Sequence, residues 1–273
     1  MFDSLEGAWE KFRWAQQHFD ALREAVSQQI NSVTIQRDEG LEATDDPEVF
    51  FLNWRVVELS DMPPEWGLRV GDIVHNLRSA MDYIAWQLGW WNQGGTPFGK
   101  TAFPICGNAT LFNNKRWVLK SLSEEHVALI ESCQPYQGGN REWPFLPLAD
   151  LRDLSDQDKH RVLVVTQPVV SGQAFAKIQQ LTGCERAQAH FLAGYPLHVG
   201  AAVVRVKVWK PTGEFDVEME YTSPMYVGLS RELGDGGFYI QDMPKVLRDM
   251  TDAVDLVLKR CEPAFKGLPF GLA

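Results

Sequence analysis

The segment VGDIVHNLRSAMDYIAWQLG, Val70 to Gly89, carries an apolar stripe at helical spacing and, beside it, four ionisable groups in a row. Val74, Leu77, Met81, Ile84 and Leu88 repeat every three or four residues, which predicts one long amphipathic helix. Asp72, His75, Arg78 and Asp82 follow one another at intervals of three, three and four, so the helix sets them along one edge. Such a row is a solvated edge, a structural polar seam, or one wall of a reactive site.

The flanks of this helix set the fold class. Upstream, Ser4 to about Ile30 is a strong amphipathic helix with Ser4 as its N-cap. SVTIQRDEG and EVFFLNWRVVEL, separated by the turn-prone LEATDDP, then read as a β-hairpin. Downstream, Gly94 to Asn114 is rich in Gly, Pro and Asn and reads as a loop. SEEHVALIESC is a helix capped by Ser123, Gln134 to Asp150 is irregular, and Leu148, Leu151 and Leu154 mark a short helical turn. HRVLVVTQPVV is a strand, and HVGAAVVRVKVWKP with EFDVEMEYTSP reads as a second hairpin about Pro211-Thr212-Gly213. Pro244 to Cys261 closes with an amphipathic helix that turns Val246, Leu247, Met250, Val254, Val257 and Leu258 inward. Helices and antiparallel hairpins come in blocks, which predicts an α+β fold: one domain, residues 1–273, with antiparallel sheet packed on long amphipathic helices.

Composition narrows the function classes. The 273 residues are 45% hydrophobic and include ten Trp and fifteen Phe, enough apolar area for a core without disulfide or metal staples. The net charge of −10 argues against bulk coating of nucleic acid. Cys106, Cys133, Cys184 and Cys261 lack metal-ligand or disulfide-framework spacing and read as reduced thiols of a cytoplasmic protein. The opening MFDSLEGAWEKFRW is acidic and amphipathic, unlike a signal peptide, and no stretch approaches the ~20 apolar residues that span a bilayer.

GGTPFGKT, Gly94 to Thr101, matches the pattern of a phosphate-cradling loop. Its context differs: a helix rather than a strand leads in, and Pro104 and Gly107 deny the helix whose amides would face phosphate. The expectation is a loop that binds no nucleotide through this motif.

A second polar cluster is LADLRDLSDQDKHRVL, Leu148 to Leu163, where Asp158, Lys159, His160 and Arg161 directly precede a strand. HNLRSAMDYIAW, TAFPI and LSDQDKHRVL together resemble a family of uncharacterised bacterial and phage proteins that share an HNLRSALDHLAW-like helix, an FPI loop and a DKHR segment. The resemblance spans roughly Gly71 to Leu163 and implies a shared fold with no established activity. A more distant similarity is to HEPN-type helical ribonucleases, whose site joins an Arg to a His four to six intervening residues later. Here those positions after Arg78 hold Tyr83, Ile84 and Ala85, and the nearby His75 precedes the arginine.

The residues themselves suggest three readings. Arg78 and Arg161 can grip a phosphate, Lys159 can neutralise its charge, and Asp82 and Asp158 complete a binding set; this favours an intracellular protein that binds a phosphorylated or nucleotide-like ligand. Alternatively, His75 and His160 act as acid and base in a metal-independent phosphodiesterase or ribonuclease, with Asp82 orienting His75. In the third reading the row is structural and the chain is an interaction module. No cofactor or metal is expected, because no H-E-x-x-H-like spacing occurs. Trp66, Trp86, Trp90 and Trp91 suit core packing or base stacking, and Trp90 with Trp91 suits a homodimer seam.

Overall fold

Twenty-eight consecutive residues, Trp66–Gln93, form α2, the longest element among the described residues. It extends beyond Val70–Gly89 at both ends because Trp66 and Gly67 are buried with it, and Gly94 ends it in the left-handed conformation. The structure is a computed structural model that describes residues 5–139, 142–192, 194–222, 224–232 and 238–265. The Ser4 cap expected for the first helix lies outside them.

In chain order, α1 (Glu6–Asn31) leads to β1 (Thr34–Arg37), β2 (Glu42–Ala43) and β3 (Val49–Glu58), then α2. Next come α3 (Ala109–Lys115), α4 (Glu124–Glu131) and α5 (Leu148–Asp158). Strands β4 (Val164–Val170), β5 (Phe175–Thr182), β6 (Arg186–Phe191), β7 (Ala202–Trp209), β8 (Asp216–Thr222), β9 (Met225–Glu232) and β10 (Phe238–Asp242) precede α6 (Met243–Cys261). The architecture is α+β, with every strand pairing among the described residues antiparallel. Contacts divide the chain into two compact units, one drawn from residues 1–22, 64–163 and 245–273, the other from 23–63 and 164–244.

The first unit is helical. Val70, Ile73, Val74, Leu77, Met81, Ile84 and Leu88 of α2 are fully buried, as are Leu148, Leu151 and Leu154 of α5. Each such side chain contributes about 1.5–3 kcal/mol of burial. Val246, Leu247, Met250, Val254, Val257 and Leu258 of α6 are buried as their spacing predicts. Helix α4 starts where expected, with the Ser123 hydroxyl accepting the His126 amide. The expected loop over Gly94–Asn114 needs a correction: it contains α3, whose Asn108 side chain accepts the Leu111 amide at 2.8 Å as an N-cap.

The second unit holds the sheets, ordered β1-β3-β7-β6 with β2 also on β3, then β10-β9-β4, and β5-β8. The first hairpin is as read, β1 against β3. The second is corrected: β7 pairs with β3 and β6, whereas β8 pairs with β5. Two ribbons turn side by side at one corner, where the Thr212 amide donates to the Gly183 carbonyl at 2.7 Å. Strand β7 lies between β3 and β6, and its Val203, Val204, Val206 and Val208 are fully buried. Buried Asn53 joins Asp38, Glu42 and Arg205 in a hydrogen-bonded set across this sheet.

Candidate functional site

The polar row of α2 is put to use on the loop that follows it. Arg78 Nη2 donates to the Phe103 carbonyl at 2.6 Å and lies 2.9 Å from Asp82 Oδ1. The same carboxylate oxygen accepts the Phe103 amide at 2.9 Å. One peptide segment without regular structure thus has both backbone polar groups of Phe103 satisfied by α2, as burial demands. Gln134, fully buried, does the same one step on, donating to the Pro104 carbonyl at 2.8 Å and accepting the Cys106 amide at 2.9 Å. Phe103 is fully buried beneath this clamp.

The end of α5 and the residues after it meet α2 nearer its N-terminus. A Cβ placed on Gly71 would run into the Asp158 carboxylate, and one on Gly67 would run into the Leu163 carbonyl oxygen. Two glycines four residues apart therefore leave bare backbone where the DKHR segment docks. Burial pushes the Asp158 carboxyl up from its ordinary pKa; the His75 charge opposes the shift and Asp72 reinforces it. Asp82 is also pushed up, by burial first, against the pull of Arg78, the Phe103 amide, Lys159 and His75. Helix, FPI loop and DKHR segment thus converge within the helical unit.

A cavity of about 360 Å³ opens at this junction, lined by Arg78, Ala102 to Ile105, Lys115, Trp117, Val118, Arg152, Ser155, Asp156 and Lys159. Among the described lining residues are four cationic side chains and one carboxylate. The cations converge on the buried Cys106 thiol as well: burial raises its pKa, while Lys115, Arg152 and Arg78 pull it back. Arg152 Nε pairs with Asp153 at 2.7 Å and Lys159 Nζ with Asp156 at 2.9 Å, both in partly exposed surroundings that leave the ion pairs weak. Arg78 keeps further N–H groups beyond the two contacts described, since a guanidinium carries five. Trp117, 53% exposed, adds an aromatic face at the rim.

The sequence-predicted residues fare differently. Arg78 and Lys159 line the cavity. Asp82 serves the loop clamp rather than His75, whose ring instead lies 3.5 Å from the Ser79 hydroxyl. Asp158 packs on α2, while His160 and Arg161 are exposed and neither they nor His75 line the cavity. Lys115, Trp117, Arg152 and Ser155 line it as well, and none of them is among the sequence-predicted residues. Arg152, Ser155, Asp156 and Lys159 stand at helical spacing, a signal available in LADLRDLSDQDK; Lys115 and Trp117 sit in a stretch without periodicity. Trp66 is buried, Trp90 and Trp91 are half-buried, and Trp86 stacks on Trp90 with centroids 5.4 Å apart.

The phosphate-loop look-alike follows α2 as a turn and an irregular stretch, with no strand before it and no helix until α3. Among the described residues, no three His, Cys, Asp or Glu side chains are grouped to hold a metal, and no helix is long and apolar enough to cross a membrane. Comparison with protein-family models, with curated proteins and with solved structures gives no match.

Proposed function

We propose that the chain binds a phosphorylated, nucleotide-like ligand in the cavity between the FPI loop, α3 and α5, without catalysing its cleavage. The observation that supports this is charge: Arg78, Lys115, Arg152 and Lys159 line one cavity, with Asp156 the single acid among the described lining residues, in a chain of net charge −10. Three of these cations lie beside a carboxylate, Arg78 at Asp82, Arg152 at Asp153 and Lys159 at Asp156, and Lys115 adds a fourth positive group; guanidinium and ammonium donors suit phosphate oxygens. The volume lies at the lower end of small-molecule sites, enough for a phosphate and its sugar. Binding is favoured over catalysis because a metal-independent phosphodiesterase needs an acid and a base beside the phosphate, and His75 and His160 lie outside the lining.

The test incubates purified protein in EDTA with ribose 5-phosphate, nucleoside monophosphates and labelled RNA, then repeats it with Lys115→Ala, Arg152→Ala, His75→Ala and His160→Ala. The expected result is recovery of an intact phosphorylated ligand, weakened about tenfold by each cation-removing variant and retained by both histidine variants. RNA cleavage lost in both histidine variants would replace binding with phosphodiester hydrolysis. Absence of any retained ligand would leave the cluster as a device that holds the loop.

A further inference from the structure

A second cavity, of about 380 Å³, opens next to the first and is lined, among the described residues, by Asp82, Tyr83, Trp86, Gln87 and Thr101. Their linings include neighbouring residues in two places. Arg78 lines the first and its ion-pair partner Asp82 the second; Ala102 lines the first and its chain neighbour Thr101 the second. Along α2, Arg78 to Trp86 covers about 12 Å at the helical rise.

The contents of this second cavity differ in kind from the first. Tyr83 and Trp86 supply aromatic surface, and the Tyr83 ring is set against the backbone of Gly7. Gln87 is 7% exposed, and its side-chain amide has no hydrogen-bond partner among the described residues. That amide is not sealed from solvent, and it offers a ligand both a donor and an acceptor. Asp82 spends Oδ1 on the Arg78 and Phe103 contacts, leaving Oδ2 for a donor. An ionised carboxylate accepts only, whereas an amide donates and accepts. Aromatic faces beside an acceptor and a donor–acceptor pair match the flat ring and the amino-bearing edge of a nucleobase.

Resting on the reading that the cationic cavity takes a phosphate, we infer that the Tyr83–Trp86 cavity holds the base of the same ligand, with Asp82 and Gln87 bonded to its amino-bearing edge. The ligand is then a nucleoside monophosphate whose base carries an exocyclic amine next to a ring nitrogen, as adenine and cytosine do. The amine donates to Asp82 Oδ2, and the Gln87 amide donates to the ring nitrogen. Bases that offer a carbonyl at that position place an acceptor against a carboxylate and are disfavoured.

Calorimetric titration in EDTA with ribose 5-phosphate, AMP, IMP and adenosine separates the two claims. AMP should bind about tenfold tighter than ribose 5-phosphate, as stacking and edge contacts predict, and tighter than IMP. Gln87→Leu, close in volume, should bring AMP to the ribose 5-phosphate value and leave ribose 5-phosphate itself unchanged, with thermal melting confirming the fold. Trp86→Ala should do the same. AMP, IMP and ribose 5-phosphate binding equally would overturn the base assignment and leave the phosphate reading standing. Loss of the AMP advantage in Trp117→Ala but not in Gln87→Leu would put the ring over Trp117 and also overturn it. Adenosine binding, sensitive to Gln87→Leu, without any binding of ribose 5-phosphate would uphold the base cavity and sink the phosphate reading. No binding by any of the four would overturn both.

Discussion

Arg78 and Asp82, one turn apart on α2, grip the two polar groups of a single residue, Phe103, the arginine its carbonyl and the aspartate its amide. A row that reads from sequence as a solvated edge, a polar seam or one wall of a reactive site spends its last two members on holding a loop. That loop then carries Pro104 and Ile105 into the wall of the cationic cavity.

The clamp predicts coupled energetics. Arg78→Ala leaves the Phe103 carbonyl without its donor, and Asp82→Ala leaves the amide without its acceptor, so each should cost about 1–3 kcal/mol in urea unfolding. The double variant should cost less than the sum by about 1 kcal/mol, because the second change removes a partner already lost. Additive losses would show that the two residues act separately.

The close approach of α2 to the DKHR segment predicts an order of harm. Gly67→Ala meets the Leu163 backbone, which cannot swing aside, whereas Gly71→Ala meets the end of the Asp158 side chain, which can. Both should destabilise, by about 1–3 kcal/mol, with Gly67→Ala the larger. Equal or reversed melting shifts would contradict this packing.

Asp158 predicts a pH dependence whose sign is fixed. A carboxyl with a raised folded-state pKa holds more protons folded than unfolded between its two pKa values. Its stability contribution is therefore full below about pH 3.9 and lost as pH rises through the raised folded value. Asp158→Asn removes that loss, so its melting temperature should rise relative to the native chain as pH climbs through this window, and hold the gain above it. A difference that stays flat from acid to neutral pH would show that Asp158 is not desolvated against α2.

What the sequence discloses depends on range. The apolar stripe of α2 and the Ser123 cap of α4 are local, and both are legible because 3.6-residue periodicity and capping act within a turn or two. Alternation marks β7 and β8 as strands, yet it carries no information about which ribbon each joins. The Asn108 cap was readable but masked by the Gly and Pro around it. Half of the cationic lining was legible in the DKHR and HNLR motifs. Lys115 arrives from a short helix that only tertiary structure sets beside α5, and Gln87 hides inside an apolar helix because nothing local shows that its amide lacks a partner.

GGTPFGKT predicts a negative result. Lys100 is exposed on an irregular stretch away from any helix N-terminus, so Lys100→Ala should leave nucleotide affinity unchanged while Arg152→Ala lowers it. Micromolar ATP–magnesium binding abolished by Lys100→Ala would show that the motif works as a phosphate loop.

Capture of a phosphate by the cationic cavity is tested most directly by an affinity measured against charge. Ribose 5-phosphate is titrated calorimetrically into the native chain and into Lys115→Ala/Arg152→Ala, at fixed pH in EDTA and at two ionic strengths. The account predicts measurable binding by the native chain, weaker at the higher salt, and a loss of about a hundredfold in the double variant, two charge-assisted contacts at about tenfold each. Binding of equal strength in the two proteins, or none in the native chain at either salt, would contradict it.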